Sequence, residues 1–271
     1  MAVVENLKKV VRKAAGRPGP RLLTVKEAFQ LTPNMIRVVF AGPELEGLPE
    51  GCDGGHCKLM LPEPDETREA FAKRLSDGPT PVRRTYTVRW YDPVAQEMAI
   101  DFVDHGDTGP ASSWAGRAAE GSFLGFAGPG APKLTQFDAD WYLIAADLSA
   151  MPMALAALEI MPEDAKGVAI FEVTSEEDRQ DVRKPEGVDV HWLIQPDAHV
   201  SSSAQVDFAR SLDWPDGRVR TCIAGEHGVI REFREFLHVE KSLPRSDTYI
   251  SGYWKIGLVE DEHQKFKNSG G

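Results

Sequence analysis

The sequence predicts a two-part fold, in which an antiparallel β-barrel precedes an α/β unit with a mostly parallel sheet. Short apolar runs broken by turn residues fill positions 22–126, and this pattern is typical of antiparallel strands. After Gly128, continuous Val/Ile/Ala runs alternate with helix-like segments, as in a parallel sheet that is covered on both faces. A chain of 271 residues is long enough for two ordinary domains. We therefore expect domains at 1–135 and 136–271.

Six runs in the first half are predicted to be strands because each is short, rich in apolar residues and bounded by turn residues. They are LLTVKEAF, MIRVVFAG, HCKLMLP, RRTYTVRWY, EMAIDFVDHG and SFLGFAG. The charged segment 63–82 separates the third run from the fourth and contains the helix-like REAFAKRL, so we expect a surface excursion or lid there. Residues 1–20 are basic and amphipathic, which fits either a packed helix or a loosely held arm.

The second half alternates predicted strands with predicted helices. The strands are WYLIAAD, GVAIFEV, VDVHWLI, VRTCIAG and TYISGYW, and the helices are SAMPMALAALEIM, 203–212 and 229–239. The tail 260–271 is polar, and we expect it to fray.

Composition excludes several classes of protein. A net charge of −11 disfavours nucleic-acid binding, because the protein as a whole repels a phosphate polymer. No run of about 18 apolar residues offers a membrane span. Three cysteines are too few and odd in number for a disulfide scaffold, which indicates a reducing compartment and hence a cytoplasmic protein. Cys52 and Cys57 lack the second half of a zinc site, so no metal site is expected.

The first candidate site is the strand segment RTYT at 84–87. Side chains alternate along a strand, so Arg84 and Tyr86 are expected on one face and Thr85 and Thr87 on the other. An arginine beside a tyrosine offers a phosphate ligand and a flat aromatic platform. The same pattern also occurs on ordinary solvated strands.

The second candidate site is the segment DFVDHGDTGPASSW at 101–114. A strand ends there in a Gly-containing turn, Pro110 occupies the place of a first helical residue, and Ser112 and Ser113 fall in the opening turn. Free backbone N–H groups and hydroxyls at a helix start bind anions, and a pyrophosphate would fit. Simple capping of the helix is the alternative interpretation.

Together these motifs resemble the siderophore-interacting proteins, which are FAD-dependent ferric-siderophore reductases of the ferredoxin-reductase superfamily. The resemblance rests on RRTYTVRWYD, DFVDHGDTGPASSWA, the Gly128-Pro129 pair, AADLSAMP, AGEHGVIREFREFL and ISGYWKIG, in that order. It extends over residues 22–262. It implies a Greek-key FAD domain followed by a nicotinamide-nucleotide domain.

The resemblance also implies roles for single residues at an FAD site. Tyr86 would lie against the flavin ring, Thr87 near its N5 atom, and Arg84 on the phosphates. The other residues that it assigns to the cofactor are Thr85, Asp101, Phe102, Val103, His105, Gly109, Pro110, Ala111, Ser112 and Ser113.

On the nucleotide side, the resemblance points to Asp147, Ser149 and Ala150, which follow the first strand of the α/β half. Ligands of such sheets bind beyond the carboxyl ends of the strands. NADH or NADPH would be the co-substrate, although no G-x-G-x-x-G fingerprint is present. Tyr253 and Trp254 would close over the flavin, or they simply pack.

The substrate side is implied to depend on lysines. Lys58 and Lys255 match positions where the family carries cationic substrate contacts, and an anionic ferric siderophore needs local positive charge on an acidic protein. The family's third cation lies in a Gly-Pro-Arg-Gly run. This chain has Gly128-Pro129-Gly130 there, with Lys133 nearby.

The sequence thus predicts a cytoplasmic FAD enzyme for iron uptake that passes electrons from NAD(P)H, or from a ferredoxin-like carrier, to a ferric siderophore, releasing ferrous iron. The flavin carries the electron chemistry, and no side chain is expected to act as a catalytic acid or base. Two alternatives remain open: a ferredoxin–NAD(P) reductase, and a non-catalytic module that binds a ferric siderophore or flavin.

Overall fold

A computed structural model describes residues 19–105 and 109–258. The predicted frayed tail at 260–271 lies outside these residues. The predicted arm at 1–20 also lies outside them, except for its last two residues. Within the described part of the chain, no helix combines the length and the apolar character needed to cross a bilayer.

The first half is a closed six-stranded antiparallel barrel with strand order β1-β2-β5-β4-β3-β6. Its strands are β1 (Arg21–Thr32), β2 (Met35–Ala41), β3 (His56–Leu61), β4 (Val82–Asp92), β5 (Glu97–Val103) and β6 (Phe123–Ala127). Each overlaps most of one of the six predicted runs, and four of those runs extend one to three residues beyond the observed strand. In this order, strands that are not consecutive in the sequence pair with each other, as in a Greek key. The predicted barrel is thereby confirmed.

The barrel core forms because alternate side chains of each strand face inward. Among the most deeply buried of them are Leu23, Val38, Phe40, Leu59, Val88, Met98, Ile100, Phe102, Leu124 and Phe126. Apolar burial of this kind contributes about 1.5–3 kcal/mol for each large side chain.

The excursion between β3 and β4 contains helix α1 (Arg68–Asp77). Thr67 begins it by accepting a hydrogen bond from the Ala70 amide at 3.2 Å. Phe71 is fully buried, and its ring centroid lies 5.7 Å from that of Phe123 in β6. The predicted helix is therefore present, and it is anchored to the barrel wall.

The second half is a five-stranded parallel sheet with order β11-β10-β7-β8-β9. Its strands are β7 (Trp141–Asp147), β8 (Gly167–Val173), β9 (Val188–Ile194), β10 (Val219–Glu226) and β11 (Thr248–Trp254). Helix α2 (Pro110–Arg117) belongs to the first half, and the helices of the second half are α3 (Met151–Glu159), α4 (Ala204–Ser211) and α5 (His227–Glu235). The last predicted helix starts two residues earlier than expected and continues as a π-helical turn, Phe236–Glu240.

The sheet is covered on both faces, as its unbroken apolar strands require. Helices α4 and α5 pack on one face around Leu143, Ile223 and Phe233. On the other face, α3 packs between the sheet and the barrel, and Met35 of β2 joins its apolar cluster. The apolar cluster around α3 therefore includes residues from both halves.

Two polar contacts also join the halves. Arg89 of β4 donates to both carboxylate oxygens of Glu159 at the end of α3, at 2.9 and 2.6 Å. Asp178, which is fully buried after β8, accepts hydrogen bonds from Thr32 and Asn34 of the barrel. Between β6 and β7 lie residues 128–140 without helix or strand, and the domain boundary after residue 135 stays a prediction.

Candidate functional site

Strands β3 and β4 form the wall where the predicted flavin and substrate residues meet. In their antiparallel register, His56 lies opposite Thr87 and Lys58 lies opposite Thr85. Residues paired in this way point to the same face of a sheet. Cys57 lies between His56 and Lys58 and is buried in the barrel core, so the other four side chains share the outer face.

Tyr86 occupies the opposite face of β4, as the predicted alternation requires. Its ring is half-buried and packs on Phe102 of β5, with centroids 4.4 Å apart. Trp114 of α2 also contacts Phe102, with centroids 5.8 Å apart. The Tyr86 ring is therefore held by an aromatic stack, which suits a fixed platform for a planar ligand.

The remaining residues of the predicted flavin strands have defined neighbours. Arg84 is half-buried, and its Nη1 donates to the Arg83 carbonyl at 3.0 Å. The Asp101 carboxylate is held by both Nε and Nη2 of Arg37, at 2.6 and 2.8 Å. Val103 packs against the core of the second half. The side chain of Asp101 thus stabilises the barrel sheet.

The predicted pyrophosphate turn starts helix α2. Gly109 is the N-cap, Pro110 the first helical residue, and Ser113 donates from its amide to the Gly109 carbonyl at 2.9 Å. Ala111 and Ser112 are buried, and the Ser112 hydroxyl accepts from the His105 amide at 3.4 Å. Residues 106–108 lie outside the described part of the chain.

This turn fits a dinucleotide phosphate. First-turn amides of a helix have no intrahelical acceptor, so they can donate to an anion. A Cβ atom on Gly109 would lie 3.1 Å from Cε1 of His105, so glycine keeps this cradle open. With the Tyr86 platform on the same domain, the residues present fit FAD.

The carboxyl edge of the parallel sheet contains the predicted nucleotide residues. Asp147 ends β7, and its carboxylate accepts hydrogen bonds from the Ser149 and Ala150 amides at 2.9 and 3.2 Å. The indole N–H of Trp254 donates to its other oxygen at 2.7 Å. Burial raises the pKa of Asp147, while the hydrogen bond from the Ser149 hydroxyl opposes that rise. The structure thus brings Asp147, Ser149, Ala150 and Trp254 together.

Gly225 is required at this edge because its backbone passes against Asp147. It has φ of +150°, and a Cβ atom there would lie 2.7 Å from Oδ2 of Asp147. We expect Gly225→Ala to lower the free energy of unfolding by about 2 kcal/mol, because the backbone conformation is strained for alanine and the carboxylate must move. Urea denaturation measures this loss.

Gly116→Ala is the matched control for that substitution. Gly116 is an exposed helical glycine in α2, and the position that an alanine methyl group would take is open space. Alanine there should stabilise the protein by up to about 1 kcal/mol. Equal stability of the two variants would contradict the close approach at Gly225.

Glu226 closes the same edge. One of its oxygens accepts from the Gly228 and Val229 amides and caps α5, and the other accepts from the Ile256 amide at 3.2 Å. Lys255, a predicted substrate contact, lies on this capped segment directly after Trp254. From the sequence, residues 224–226 were interpreted either as an ordinary strand-to-helix connection or, by the family resemblance, as part of the nucleotide side of the site. The cap gives Glu226 a structural role.

A hydrogen-bonded chain of hydroxyls crosses from the barrel to the second half. The Tyr253 hydroxyl has the Thr87 side chain as one partner and the Tyr249 hydroxyl, at 3.3 Å, as another. Burial first and the neighbouring Tyr249 second raise the pKa of Tyr253 well above its usual value. Tyr253 is therefore a neutral hydroxyl beside the residue predicted to lie near flavin N5.

Two of the three predicted substrate lysines lie near His56. The Lys133 ammonium lies 3.0 Å from Nδ1 of His56, and the Lys58 ammonium donates to the Thr85 hydroxyl on the neighbouring strand. We call His56, Lys58 and Lys133 the basic cluster. Sequence reasoning missed His56 and Tyr249, because neither has a local pattern that predicts a site.

The thiols are not reactive groups. Cys52, Cys57 and Cys222 are free and buried. Burial raises the pKa of the Cys52 thiol to about 11 and of the Cys222 thiol to about 12, so both stay protonated. Within residues 19–105 and 109–258, no group of three or more His, Cys, Asp or Glu side chains is arranged to hold a metal ion.

Both halves of the chain match families of known proteins. Residues 24–133 match the siderophore-interacting FAD-binding domain, and residues 139–257 match the siderophore-interacting protein family. The chain is 35% identical over 253 residues to the ferric vibriobactin reductase ViuB of Vibrio cholerae, covering 91% of this chain and 93% of the relative.

Two further proteins extend this likeness. The NADPH-dependent ferric-chelate reductase of Escherichia coli is 29% identical over 244 residues, covering 86% of this chain and 92% of the relative. The crystal structure of the siderophore-interacting protein SipS from Aeromonas hydrophila superposes with a TM-score of 0.80 at 32% identity, covering 93% of this chain and 97% of that one. Barrel and sheet are therefore arranged as in that structure.

Proposed function

The chain belongs to the siderophore-interacting protein family, and from this membership we propose that it is an FAD-dependent ferric-siderophore reductase. It is an oxidoreductase that transfers electrons from a reduced nicotinamide nucleotide to the iron of a ferric siderophore. One observation carries the proposal: the strand register sets the lysine of the basic cluster on β3 directly beside the flavin strand β4. The proposed substrate and cofactor sites would therefore adjoin.

The barrel residues would hold FAD. Tyr86 would carry the flavin ring, Thr87 would lie at its edge, and Arg84 with the α2 start would bind the phosphates. When bound, FAD supplies the ability to accept a hydride and to release electrons singly. The aromatic stack of Tyr86 on Phe102 keeps the platform in one orientation.

The carboxyl edge of the sheet would receive the nicotinamide nucleotide. Asp147 holds the turn at Ser149 and Ala150, and that turn precedes α3, whose first-turn amides face this edge. The chain has no G-x-G-x-x-G fingerprint. In its place, the hydrogen bonds of Asp147 would shape the backbone at Ser149 and Ala150 for the nucleotide. Trp254 is fixed to the same carboxylate and would shield the ring from water.

The basic cluster would bind the substrate. Many ferric siderophores are anionic, and ammonium groups attract them on a protein whose net charge is −11. Reduction weakens the hold of oxygen chelators on the iron, so ferrous iron is released without an acid or base from the protein. Lys255, at the end of β11, would add a further cation.

We further propose the cytoplasm as the site of action and NADPH or NADH as donor. The E. coli relative is named NADPH-dependent, which supports a nucleotide donor. Three free thiols are compatible with a reducing compartment. A ferredoxin-like carrier is the alternative donor, and cell fractionation tests the location.

The visible spectrum of the purified protein tests this function. We expect a flavin spectrum that bleaches anaerobically with NADH or NADPH and recovers when a ferric siderophore is added. Bleaching by neither nucleotide, with reduction by ferredoxin, would assign the protein to the ferredoxin-dependent alternative. Tight binding of the chelate without turnover would identify a binding module. A colourless protein that added FAD does not restore would overturn the assignment.

A further inference from the structure

The His56 ring fills the space beside Gly130. A Cβ atom on Gly130 would lie 2.0 Å from Cε1, 2.4 Å from Nδ1 and 2.9 Å from Nε2 of the imidazole. The amide of Gly130 also donates to the His56 carbonyl at 2.8 Å. Side chains at residue 130 and the imidazole therefore exclude each other, and glycine is what gives His56 this place.

His56 holds the Lys133 ammonium. Since an ammonium group only donates, Nδ1 at 3.0 Å is the acceptor, and the imidazole proton is on Nε2. Partial burial, then Lys133 and then Lys58 lower the pKa of His56, which keeps the ring neutral and able to accept. The lowered pKa of His56 thus agrees with the role of Nδ1 as the acceptor for the Lys133 ammonium.

The Lys133 side chain has its contacts with other segments of the chain. Lys133 lies in the connection 128–140, where the structure has no helix or strand. Its ammonium contacts the Tyr249 ring, 5.7 Å from the centroid, and the His56 nitrogen. By contrast, Lys58 is on β3 and bonded to Thr85. His56 is therefore the strand residue that Lys133 contacts, and it lies two residues from Lys58 on the same face of β3.

This arrangement serves charge recognition better than plain packing. His56 is exposed on the outer face of the barrel, so its ring position yields little apolar burial. The positive charges of Lys133 and Lys58 both act on this one imidazole, and like charges gathered at one place repel each other. A structural site without a ligand gains nothing from that repulsion. An anion bound between them would offset it.

We propose that His56 is a positioning residue of the substrate site, which orients Lys133 so that Lys133 and Lys58 together bind a polyanionic ferric chelate. Ferric tris-catecholates are polyanionic chelates of this kind, and neutral ferric trihydroxamates gain nothing from the basic cluster. This inference rests on the proposed function and adds a positioning residue to its substrate site.

Two substitutions of His56 distinguish its proposed role of orienting Lys133 from the simple filling of space by its ring. His56→Asn places an amide oxygen near the position of Nδ1 and can still accept from Lys133. His56→Leu fills similar space without an acceptor. We expect His56→Leu to raise KM for a ferric tris-catecholate about tenfold, with kcat within about twofold, and His56→Asn to retain most of the wild-type KM. For a neutral ferric trihydroxamate, neither substitution should change KM.

Gly130→Val provides a second route to the same state, because its side chain displaces the imidazole without removing it. It should reproduce the selective rise in KM seen with His56→Leu. Flavin absorbance of each purified variant reports whether the FAD site is intact.

Binding to the oxidised holoprotein, followed by tryptophan fluorescence, keeps this test separate from the reductase assay. If wild-type protein reduces no ferric chelate, the proposed function fails, and the binding data still decide the role of His56. The inference is overturned if His56→Leu binds the tris-catecholate as tightly as wild type does. It is also overturned if His56→Asn is as weak as His56→Leu, or if both chelates are affected alike.

Discussion

Replacing Lys58 and Lys133 together with alanine is expected to raise KM for an anionic ferric siderophore about 100-fold. Each ammonium contributes a charge-assisted contact of about 1.4 kcal/mol, which is a factor of ten. The flavin content should stay that of wild type, because neither side chain belongs to the predicted FAD contacts. Steady-state reduction with saturating nucleotide measures the change.

The matched control is Lys166→Ala. Lys166 is an exposed lysine just before β8, at the amino edge of the parallel sheet, opposite to the carboxyl edge of the nucleotide site. This substitution removes the same charge and should leave KM within about twofold. Salt should weaken substrate binding in wild type more than in the double variant, since screening acts on charge attraction. If Lys166→Ala raised KM as much as the double substitution does, the effect would be due to the change in net charge and not to the two lysines of the basic cluster.

The second large effect concerns stability, at the junction of the two halves. Asp178→Ala is expected to lower the free energy of unfolding by about 3–5 kcal/mol. The Asp178 carboxylate accepts from Thr32 Oγ1 at 2.9 Å and from the side-chain and backbone N–H groups of Asn34 at 2.8 and 3.0 Å. Thr174 and Ser175 donate to it from its own segment. Alanine leaves these donors, of which Thr32 is buried and the others are half-buried, without their acceptor.

Asp181→Ala is the control, since Asp181 is exposed on the same loop and should lose less than about 0.5 kcal/mol. Urea denaturation followed by far-UV circular dichroism measures both variants. Comparable losses would show that the loop, and not the buried carboxylate, limits stability.

The same residue predicts a pH dependence. Burial of Asp178 opposes its ionisation, but hydrogen bonds from Asn34, Thr174 and Thr32 outweigh burial, and the net pKa is lowered. A lowered pKa in the folded state gives stability that is fully present above the unfolded value of about 4 and lost as pH falls through the folded value. The stability difference between wild type and Asp178→Ala should therefore shrink below about pH 4. A difference that stays constant down to about pH 2 would contradict this origin.

Much of the fold could be predicted because its signals are local. WYLIAAD is typical of a buried parallel strand, and it is β7 (Trp141–Asp147). EMAIDFVDHG ends at a turn before a proline, and β5 and α2 are there. The helix after β10 was expected to begin at Val229, and it begins at His227 because the Glu226 side chain caps it there. Periodicity alone defines the end of a helix only to within a few residues.

The candidate site was only partly predictable. Arg84, Tyr86 and the Gly109 turn lie on continuous motifs, so their neighbourhood could be inferred, and their cofactor roles remain predictions. His56 could not be found from the sequence because its partner Lys133 is 77 residues away. The same holds for Asp178, since its acceptor role depends on Asn34, 144 residues away.

Local sequence patterns were sufficient for the fold class and for the order of strands and helices along the chain, and the resemblance of the motifs to a known family indicated a flavoprotein reductase. They were sufficient because side-chain alternation, turn residues and helix starts are properties of neighbours along the chain. The folded structure was needed to find that Gly130 makes room for His56, that Lys133 contacts His56, and that Asp178 joins the two halves. Those contacts depend on strand register and on packing between distant segments, and no local pattern encodes either.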